Sequence, residues 1–291
     1  MVKKVGIVGT GVMGSGLAKR LVSKGYEVCA WNRTRERALA LTKFGVKVVN
    51  SIAELVKRSE TIHIFVSDDE AVRAVVYGKG GIFESVEEGK LVINHSTVTP
   101  PLNIQLYRDL KEKNVAFLEC PVLGSWPEAE KGELDSLVGG EEDLLRKYEG
   151  LFNDFSKLIF YTGPVGTAAA LKLATNMMLF NIALALSESM ALVSSWNLNP
   201  KKLLEYFKET WLKPVAERYG ERLLAKEFPT RFRLVLAAKD LAYAVFSARD
   251  RGQPLPLTSA SLQTYLEAAA YGMSDKDYSR VFHFINKRAV S

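Results

Sequence analysis

The stretch KKVGIVGTGVMGSG at residues 3–16 constrains the fold more than any other part of the chain. The apolar run at residues 5–8 predicts a strand, and a helical pattern follows it after a turn of glycines. In such a unit Gly9 permits the tight turn, Gly11 lets the backbone approach a pyrophosphate, and Gly14 lets helix and strand pack closely. The anion then fits on the free N–H groups at the helix N-terminus. The predicted phosphate-binding residues are Gly9, Thr10, Gly11, Val12, Met13 and Gly14.

Short β-type runs alternate with helical patterns up to about residue 161. Strands are predicted over residues 5–8, 27–31, 47–49, 61–66, 91–94, 116–119, 136–139 and 158–161. Helices are predicted over residues 11–24, 35–44, 52–57, 69–76, 100–113 and 141–152. Strands and helices in alternation imply a largely parallel sheet covered on both faces. The expected fold class is therefore α/β, beginning with a Rossmann dinucleotide-binding domain.

The pattern changes after residues 162–164, where the strand signal ends. From Thr167 onward apolar residues continue without Gly or Pro as far as Pro200, which predicts one buried helix of roughly thirty residues. Later prolines divide the remaining chain into further helices. The sequence therefore predicts a dinucleotide-binding domain over residues 1–162 and an all-helical domain over residues 163–291.

The composition disfavours several other classes of protein. The 39 basic residues are interleaved with 33 acidic ones, so the net charge of +6 forms no basic block of the kind that binds nucleic acid. Two cysteines and three scattered histidines give no metal-ligand pattern. The apolar stretch at residues 168–196 contains Lys172 and Asn176, which do not suit a lipid-facing surface. We expect no metal, no nucleic acid partner and no membrane partner.

The start of the chain leads directly into the first predicted strand. A secretory signal would need a basic segment followed by a longer apolar segment at this place. We therefore expect a cytoplasmic location.

The end of the second predicted strand favours NADP over NAD. An NAD site has an acidic residue here, about 20 residues after the glycines, which binds the ribose 2′-hydroxyl. This chain has Asn32, Arg33 and Thr34 instead. Asn32 and Thr34 can donate hydrogen bonds to a 2′-phosphate, and Arg33 can pair with its charge. The alternative is that Asn32 begins a turn and Arg33 is a solvated charge, which explains each residue singly but not the set.

Three further motifs accompany the glycine loop. They are ECPVLGS at residues 119–125, GTAAALKLATN at residues 166–176 and FRLVLAAKDL at residues 232–241. In this order the four motifs resemble the β-hydroxyacid dehydrogenase family. That family includes 3-hydroxyisobutyrate dehydrogenases, tartronate semialdehyde reductases, glyoxylate and succinic semialdehyde reductases, and L-serine 3-dehydrogenases. The resemblance implies a Rossmann domain, a long interdomain helix, an all-α domain like that of 6-phosphogluconate dehydrogenase, and a homodimer or homotetramer.

The resemblance also implies the catalytic residues. Lys172 matches the family's catalytic lysine, and Asn176 matches an amide that helps to place the substrate. Four residues apart, the two share one helix face. Oxidation of an alcohol needs an acid/base group near the hydroxyl while hydride leaves the carbon. A surface lysine is the alternative, but Lys172 lies among apolar residues, where a charge is costly to bury.

Other positions match residues near the cofactor. Ser96 and Thr97 match a Ser-Thr pair at the nicotinamide end, where Ser96 also borders the substrate, although Asn94 and His95 stand where the family has an Asp. Lys239 matches a lysine that reaches the cofactor. Val66 and Ser67 end the fourth predicted strand, where a cofactor ribose would lie. We expect His95 to be structural, since no motif requires it.

The segment after Pro121 matches the loop that binds the substrate carboxylate, and it departs from the family. The common pattern is P-V-S-G, and this chain has Leu123 in place of the serine, followed by Gly124. A hydrogen-bond donor is thereby replaced by an apolar side chain. Ser125 could supply a hydroxyl instead, and Trp126 is either a wall of the pocket or a packing residue.

Taken together, the motifs predict an NADP-dependent oxidoreductase that acts on a small carboxylic acid. The first substrate expected is L-serine, oxidised at its 3-hydroxyl. The alternatives are reduction of glyoxylate or succinic semialdehyde, or oxidation of 3-hydroxyisobutyrate. A non-catalytic NADP-binding sensor and an imine reductase would each be expected to lack the lysine that this chain has at Lys172.

Overall fold

The computed structural model describes residues 2–225 and 227–288. The chain divides into two compact units, of which the first ends at Lys172 and the second begins at Leu173. The division falls inside one long helix, so the two units share a continuous element.

The first unit is built on a sheet of nine strands. The strands are β1 (Lys4–Val8), β2 (Glu27–Trp31), β3 (Lys47–Val48), β4 (Thr61–Ile64), β5 (Leu91–Asn94), β6 (Ala116–Glu119), β7 (Val122–Leu123), β8 (Leu134–Gly140) and β9 (Ser156–Gly163). Their order is β3-β2-β1-β4-β5-β6-β8-β7, and β9 pairs with β8. The first six run parallel in the order of a doubly wound dinucleotide-binding fold. The predicted α/β class is confirmed.

Helices connect these strands. They are α1 (Val12–Ser23), α2 (Arg35–Leu39), α3 (Ile52–Arg58), α4 (Asp69–Tyr77), α5 (Ile82–Ser85), α6 (Pro100–Lys111), α7 (Trp126–Lys131) and α8 (Glu142–Asn153), with a 3₁₀ turn at Thr42–Phe44. The pleat of the sheet sends alternate side chains to opposite faces. Val5 and Ile7 pack with Leu17 on one side, whereas Ile62 packs with Leu55 on the other. Both faces of the sheet are therefore covered, as the alternating pattern predicts.

Several elements of the first unit differ from the predicted ones, including α2 and β4, which end at Leu39 and Ile64, before their predicted bounds of 44 and 66. The short strand β7 and the helices α5 and α7 were not expected, and β8 and β9 extend beyond their predicted bounds. The strand β8 pairs antiparallel with both β6 and β7, so the sheet is mixed at this edge. The strand β7 is defined by its pairing with β8, which lies further along the chain, and the four residues of α5 are too few to show a helical period.

Every helix or strand element in the described residues of the second unit is a helix. Its helices are the remainder of α9 (Thr167–Ser195), then α10 (Pro200–Lys208), α11 (Lys213–Leu224), α12 (Leu234–Arg249), α13 (Pro256–Ala268) and α14 (Val281–Arg288), with a π-helical turn at Ala269–Met273 and a 3₁₀ turn at Tyr278–Arg280. Phe180 on α9, Tyr219 on α11 and Tyr265 on α13 are buried in one core. The predicted all-helical second domain is confirmed.

The long helix α9 is 29 residues long and, by length and composition alone, apolar enough to cross a bilayer. Its Phe180, Ala183 and Met190 are buried in the core of the second unit. Burial on all sides, which its apolar composition predicts, is not observed, because Met178 and Leu192 are 59% and 63% exposed. Because every face of α9 carries apolar residues, the sequence does not show which face the rest of the unit covers.

Candidate active site

The glycine loop joins β1 to α1 and has the geometry of an anion cradle. Gly9 has a φ of +96°, and a Cβ there would lie 2.1 Å from the Phe65 carbonyl oxygen. A Cβ on Gly14 would lie 2.0 Å from the Gly9 carbonyl oxygen, whereas a Cβ on Gly11 would meet no atom within 4 Å. Gly9 and Gly14 are therefore required by the packing of the loop itself. Gly11 instead leaves open space at the N-terminus of α1, where an anion is favoured.

The residues between these glycines complete the loop. The Thr10 hydroxyl is buried and has no hydrogen-bond partner in the described part of the chain. Val12 is exposed and Met13 is half-buried, both in the first turn of α1. A buried hydroxyl without a partner is unfavourable unless a ligand completes its bonding. The Thr10 hydroxyl and the space at Gly11 therefore fit a bound pyrophosphate.

The end of β2 is tied to the glycine loop. Asn32 accepts a hydrogen bond from the Thr10 N–H at 3.0 Å, and its amide nitrogen donates to the Thr34 carbonyl at 2.8 Å. Arg33 and Thr34 are exposed at the start of α2. Asn32 is thus mainly a brace between two loops, with one amide hydrogen remaining for a ligand. Arg33 stands at the edge of this cradle with no carboxylate at the preceding or following position.

The carboxyl ends of β4 and β5 lie beside that of β1. In the strand register Val8 pairs with Ile64, and Ile64 pairs with Asn94. The Ser96 hydroxyl accepts a hydrogen bond from the Val66 N–H at 3.0 Å, so two predicted cofactor residues are in direct contact. Ser67 donates to Asp68, and Thr97 is half-buried next to Ser96. The first unit therefore brings the glycine loop and this second group of residues to one edge of the sheet.

Two histidines form a buried chain beneath this edge. The His63 ring Nδ1 bonds His95 Nε2 at 2.9 Å, and His95 Nδ1 donates to the Cys120 carbonyl at 2.8 Å. His95 is also stacked on Phe65 with ring centroids 4.3 Å apart. Burial lowers the pKa of His95 to about 3 and lowers the pKa of His63 well below 6.5. His95 is neutral and braces the residue before the predicted substrate loop, in keeping with a structural role.

The predicted substrate loop runs from β7 into α7. Leu123 is half-buried at the end of β7, and Gly124 has a φ of +125°, a conformation that other residues adopt rarely. The Ser125 hydroxyl donates to the Glu128 carboxylate at 2.9 Å and its N–H donates to the same oxygen at 2.8 Å. Trp126 is 54% exposed. Ser125 therefore caps α7, and its hydroxyl would have to leave Glu128 to serve a ligand, while Trp126 is not a core packing residue.

Lys172 and Asn176 lie one turn apart on α9. Their side chains are buried, at 7% and 3% exposure. Lys172 is therefore an ionisable residue that folding removes from water, and removing a charge from water is costly. Such a placement is typical of a functional lysine.

Asn176 is part of a polar group within the second unit. Its amide nitrogen donates to Asp240 at 2.6 Å, and the Lys239 ammonium lies 3.1 Å from the other Asp240 oxygen. Lys239 also lies 4.9 Å from the Tyr243 ring centroid. Because the Asn176 nitrogen is used by Asp240, the amide oxygen is oriented away as an acceptor. Lys239 and Asn176 are therefore joined through one fully buried carboxylate.

Asp240 was not among the predicted site residues. It is an acidic residue inside the apolar helix α12, and the cost of burying its charge is the same signal that singles out Lys172. Glu119, buried at the end of β6, carries the same signal and was also missed. Among the described residues no group of three or more His, Cys, Asp or Glu side chains is placed to hold a metal ion.

Comparisons with known proteins cover nearly the whole chain. The family model for the NAD-binding domain of 6-phosphogluconate dehydrogenase matches residues 4–163. The model for the NAD-binding region of NADP-dependent 3-hydroxyisobutyrate dehydrogenase matches residues 166–285.

Individual relatives agree with these matches. Glyoxylate/succinic semialdehyde reductase 2, chloroplastic, of Arabidopsis thaliana is 31% identical over 278 residues, which are 95% of this chain and 78% of that protein. The probable mitochondrial 3-hydroxyisobutyrate dehydrogenase of Dictyostelium discoideum is 31% identical over 293 residues, with 98% and 91% covered. The solved structure of Mycobacterium tuberculosis 3-hydroxyisobutyrate dehydrogenase with L-serine superposes with a TM-score of 0.84 at 22% identity, covering 98% of this chain and 99% of that chain. At that identity the superposition shows the fold alone.

Proposed function

The chain belongs to the β-hydroxyacid dehydrogenase family of NAD(P)-dependent oxidoreductases, and on that premise we propose that it transfers hydride between NADP and a small 3-hydroxy acid, with Lys172 as general acid/base. The observation that carries the proposal is that Lys172, at the position of the family's lysine, is only 7% exposed. Within a family of alcohol dehydrogenases, an acid/base group is the function that justifies such a charge.

The choice of NADP is supported by the end of β2. Asn32, Arg33 and Thr34 bring no negative charge to the place where a 2′-phosphate would lie, and Arg33 is exposed and available to bind it. Gly11 and the Thr10 hydroxyl would hold the pyrophosphate, and Val66, Ser67, Ser96 and Thr97 would line the nicotinamide half. When bound, the nicotinamide accepts or supplies the hydride. Proton transfer and orientation of the substrate would be carried out by residues of this chain.

Lys172 would take the proton of the substrate hydroxyl during oxidation and return it during reduction. Asn176, with its nitrogen fixed by Asp240, would present its oxygen as an acceptor that orients the substrate. Lys239, held by the same carboxylate, is proposed to contact the cofactor. Leu123, Gly124, Ser125 and Trp126 would form the substrate loop, with backbone N–H groups as the donors for a carboxylate.

We propose L-serine as the first substrate, oxidised at its 3-hydroxyl to an aldehyde. Leu123 removes the hydroxyl that the family places in the loop, which argues against a simple transfer of the 3-hydroxyisobutyrate pocket. A second candidate is reduction of glyoxylate or succinic semialdehyde, because one relative with 31% identity is named for that reaction. All these substrates combine a carboxylate with a carbon that exchanges hydride, so Lys172 and Asn176 suit each of them.

The test combines turnover with cofactor binding. NADP reduction is assayed with L-serine, D-serine, 3-hydroxyisobutyrate, 3-hydroxypropionate, glycerate and 4-hydroxybutyrate, and NADPH oxidation with glyoxylate and succinic semialdehyde. We expect Lys172→Ala to lower kcat by roughly 100-fold or more, since general acid/base groups contribute about that much. NADPH affinity, followed by the fluorescence of the bound nucleotide, should change by less than about threefold, because the glycine loop is not altered.

Lys201→Ala, an exposed lysine on α10, is the matched control and should retain full activity. Equal turnover by Lys172→Ala and the wild type would end the acid/base assignment. NADPH binding without turnover of any acid would instead favour the NADP-binding sensor.

A further inference from the structure

Glu119 is a buried carboxylate at the N-terminus of α9, the helix that carries Lys172. It is the last residue of β6 and is fully shielded from solvent. One carboxylate oxygen accepts hydrogen bonds from the Gly166 N–H at 2.7 Å and the Ala168 N–H at 2.8 Å. The other oxygen accepts from the Asn103 amide at 2.6 Å. A strand of the sheet thereby caps the first turn of the long helix.

The same carboxylate ends a chain of buried polar groups that begins at the candidate site. The Ser96 N–H donates to the Asn94 side-chain oxygen at 3.0 Å, and the Asn94 amide nitrogen donates to the Asn103 oxygen at 2.8 Å. Asn103 then donates to Glu119. Each amide accepts at one end and donates at the other, so the donors all point toward the carboxylate.

The donors around both oxygens favour an ionised Glu119. Burial raises the pKa of its carboxyl, while the donors from Ala168, Asn103 and Gly166 oppose that increase. A negative charge also suits the positive end of the α9 dipole. A Cβ added to Gly139 on β8 would lie 2.4 Å from a Glu119 oxygen, so the carboxylate occupies space that only a glycine on the neighbouring strand leaves open.

We propose that Glu119 is a positioning residue for Lys172. Ala168, which Glu119 binds, lies one helical turn before Lys172 and therefore on the same face of α9. Holding that turn in place fixes the rotation of α9 about its axis. It also fixes the position of Lys172 along that axis relative to Ser96, to which the same chain of hydrogen bonds leads. The role assigned to Lys172 rests on the proposed function, whereas the anchoring of α9 does not.

Glu119→Gln tests the anchor, because it keeps the shape of the side chain but removes the charge and turns two acceptor sites into donors. Amide hydrogen exchange of residues 166–172 should accelerate by roughly tenfold or more, as expected for the loss of hydrogen bonds to a charged group. With an acid that the wild type turns over, kcat should fall by roughly 10- to 100-fold. KM for the form of NADP that this reaction consumes should change by less than about threefold, because the glycine loop is intact.

Glu149→Gln, an exposed residue of α8, is the matched control and should change neither exchange nor kcat. If Glu119→Gln does not fold, Asn103→Ala removes only the support of the second carboxylate oxygen and should produce the same two effects at smaller size. Unchanged exchange at residues 166–172 in whichever of the two variants folds would overturn the anchor. Faster exchange with unchanged kcat would overturn the positioning role.

A wild-type protein that turns over no hydroxy acid would contradict the proposed function instead. The exchange measurement would then still decide whether Glu119 anchors α9.

Discussion

At the scale of single residues, the buried pair of His63 and His95 links protonation to folding. Both side chains are neutral in the folded protein, since burial lowers both pKa values, that of His95 to about 3. In the unfolded chain a histidine titrates near pH 6.5. Unfolding below that pH therefore takes up protons, and the folded state loses stability as the pH falls.

Each histidine that stays neutral in the folded protein contributes up to about 1.4 kcal/mol per pH unit below pH 6. His63→Phe should remove roughly half of the combined slope, because one of the two groups no longer titrates. The free energy of unfolding in urea, measured at several pH values, gives the slope directly. Phe155→Leu, which alters a ring packed against both histidines without removing a titrating group, should lower stability and keep the slope. The same slope in wild type and His63→Phe would contradict the assignment.

Arg33 carries a second prediction at this scale. If it binds the 2′-phosphate, Arg33→Ala should weaken NADP binding by roughly 10- to 100-fold, the value of a charge-assisted contact, and leave NAD binding almost unchanged. Titration of the protein with each nucleotide measures both affinities. Arg146→Ala on α8 is the control, since that arginine pairs with Glu142 on an exposed helix face. An equal loss for NAD and NADP would show that Arg33 does not distinguish them.

The sequence reveals some of these residues and conceals others for a physical reason. Gly9, Gly14 and Lys172 are visible because glycines between a strand pattern and a helix pattern, and a charge in an apolar run, stand out from their neighbours in the sequence. Asn32 is visible too, but its bonds to Thr10 and Thr34 depend on how two loops meet. Asp240 and its contact with Asn176 join positions 64 residues apart, which no local pattern can specify.

At the scale of secondary structure elements, the turn from β1 to α1 separates packing from ligand binding. Gly14→Ala should destabilise the protein by about 1–3 kcal/mol, because the new Cβ collides with the Gly9 carbonyl. Gly11→Ala should change the free energy of unfolding by less than about 0.5 kcal/mol, because the added methyl group meets open space. Urea denaturation measures both values.

Gly11→Ala, which should barely change the stability of the protein, should weaken nucleotide binding. The Gly11→Ala methyl group would occupy the space proposed for the pyrophosphate, so NADPH affinity should fall by roughly tenfold or more. If Gly11→Ala binds NADPH as tightly as the wild type, the pyrophosphate does not bind at Gly11.

Strands that are apolar runs in themselves were predictable, whereas a strand defined by its pairing with a later strand was not. The parallel strands β1, β4 and β5 are apolar runs buried on both sides, which the sequence displays without reference to distant residues. The strand β7 has two residues and is held by its pairing with β8. The helix α7 does carry a local signal, because Ser125 and Glu128 have the spacing of a capping box.

At the scale of the whole molecule, we propose that copies of the chain associate. The resemblance to the family implies a homodimer or homotetramer, and the helical unit exposes large apolar side chains such as Met178, Leu192 and Trp211. Sedimentation velocity should show a species larger than 32.3 kDa. Met178→Glu combined with Leu192→Glu should shift the protein toward the monomer if this face of α9 is buried between copies.

The control for that experiment is Leu257→Glu on α13, another exposed leucine of the same unit. Wild-type sedimentation as a monomer would contradict the proposed association. A dimer that both sets of variants leave intact would place the interface on another face.

The helix α9 crosses the division between the two compact units, with Lys172 as the last residue of one and Leu173 as the first of the other. Domain boundaries usually fall in exposed, flexible linkers, whereas here a continuous helix spans the boundary. A crossover there would have to splice two helices in exact register, or the residues on either side would change faces. We therefore expect relatives of this protein to diversify by substitution within each unit, with the helix inherited as a single piece.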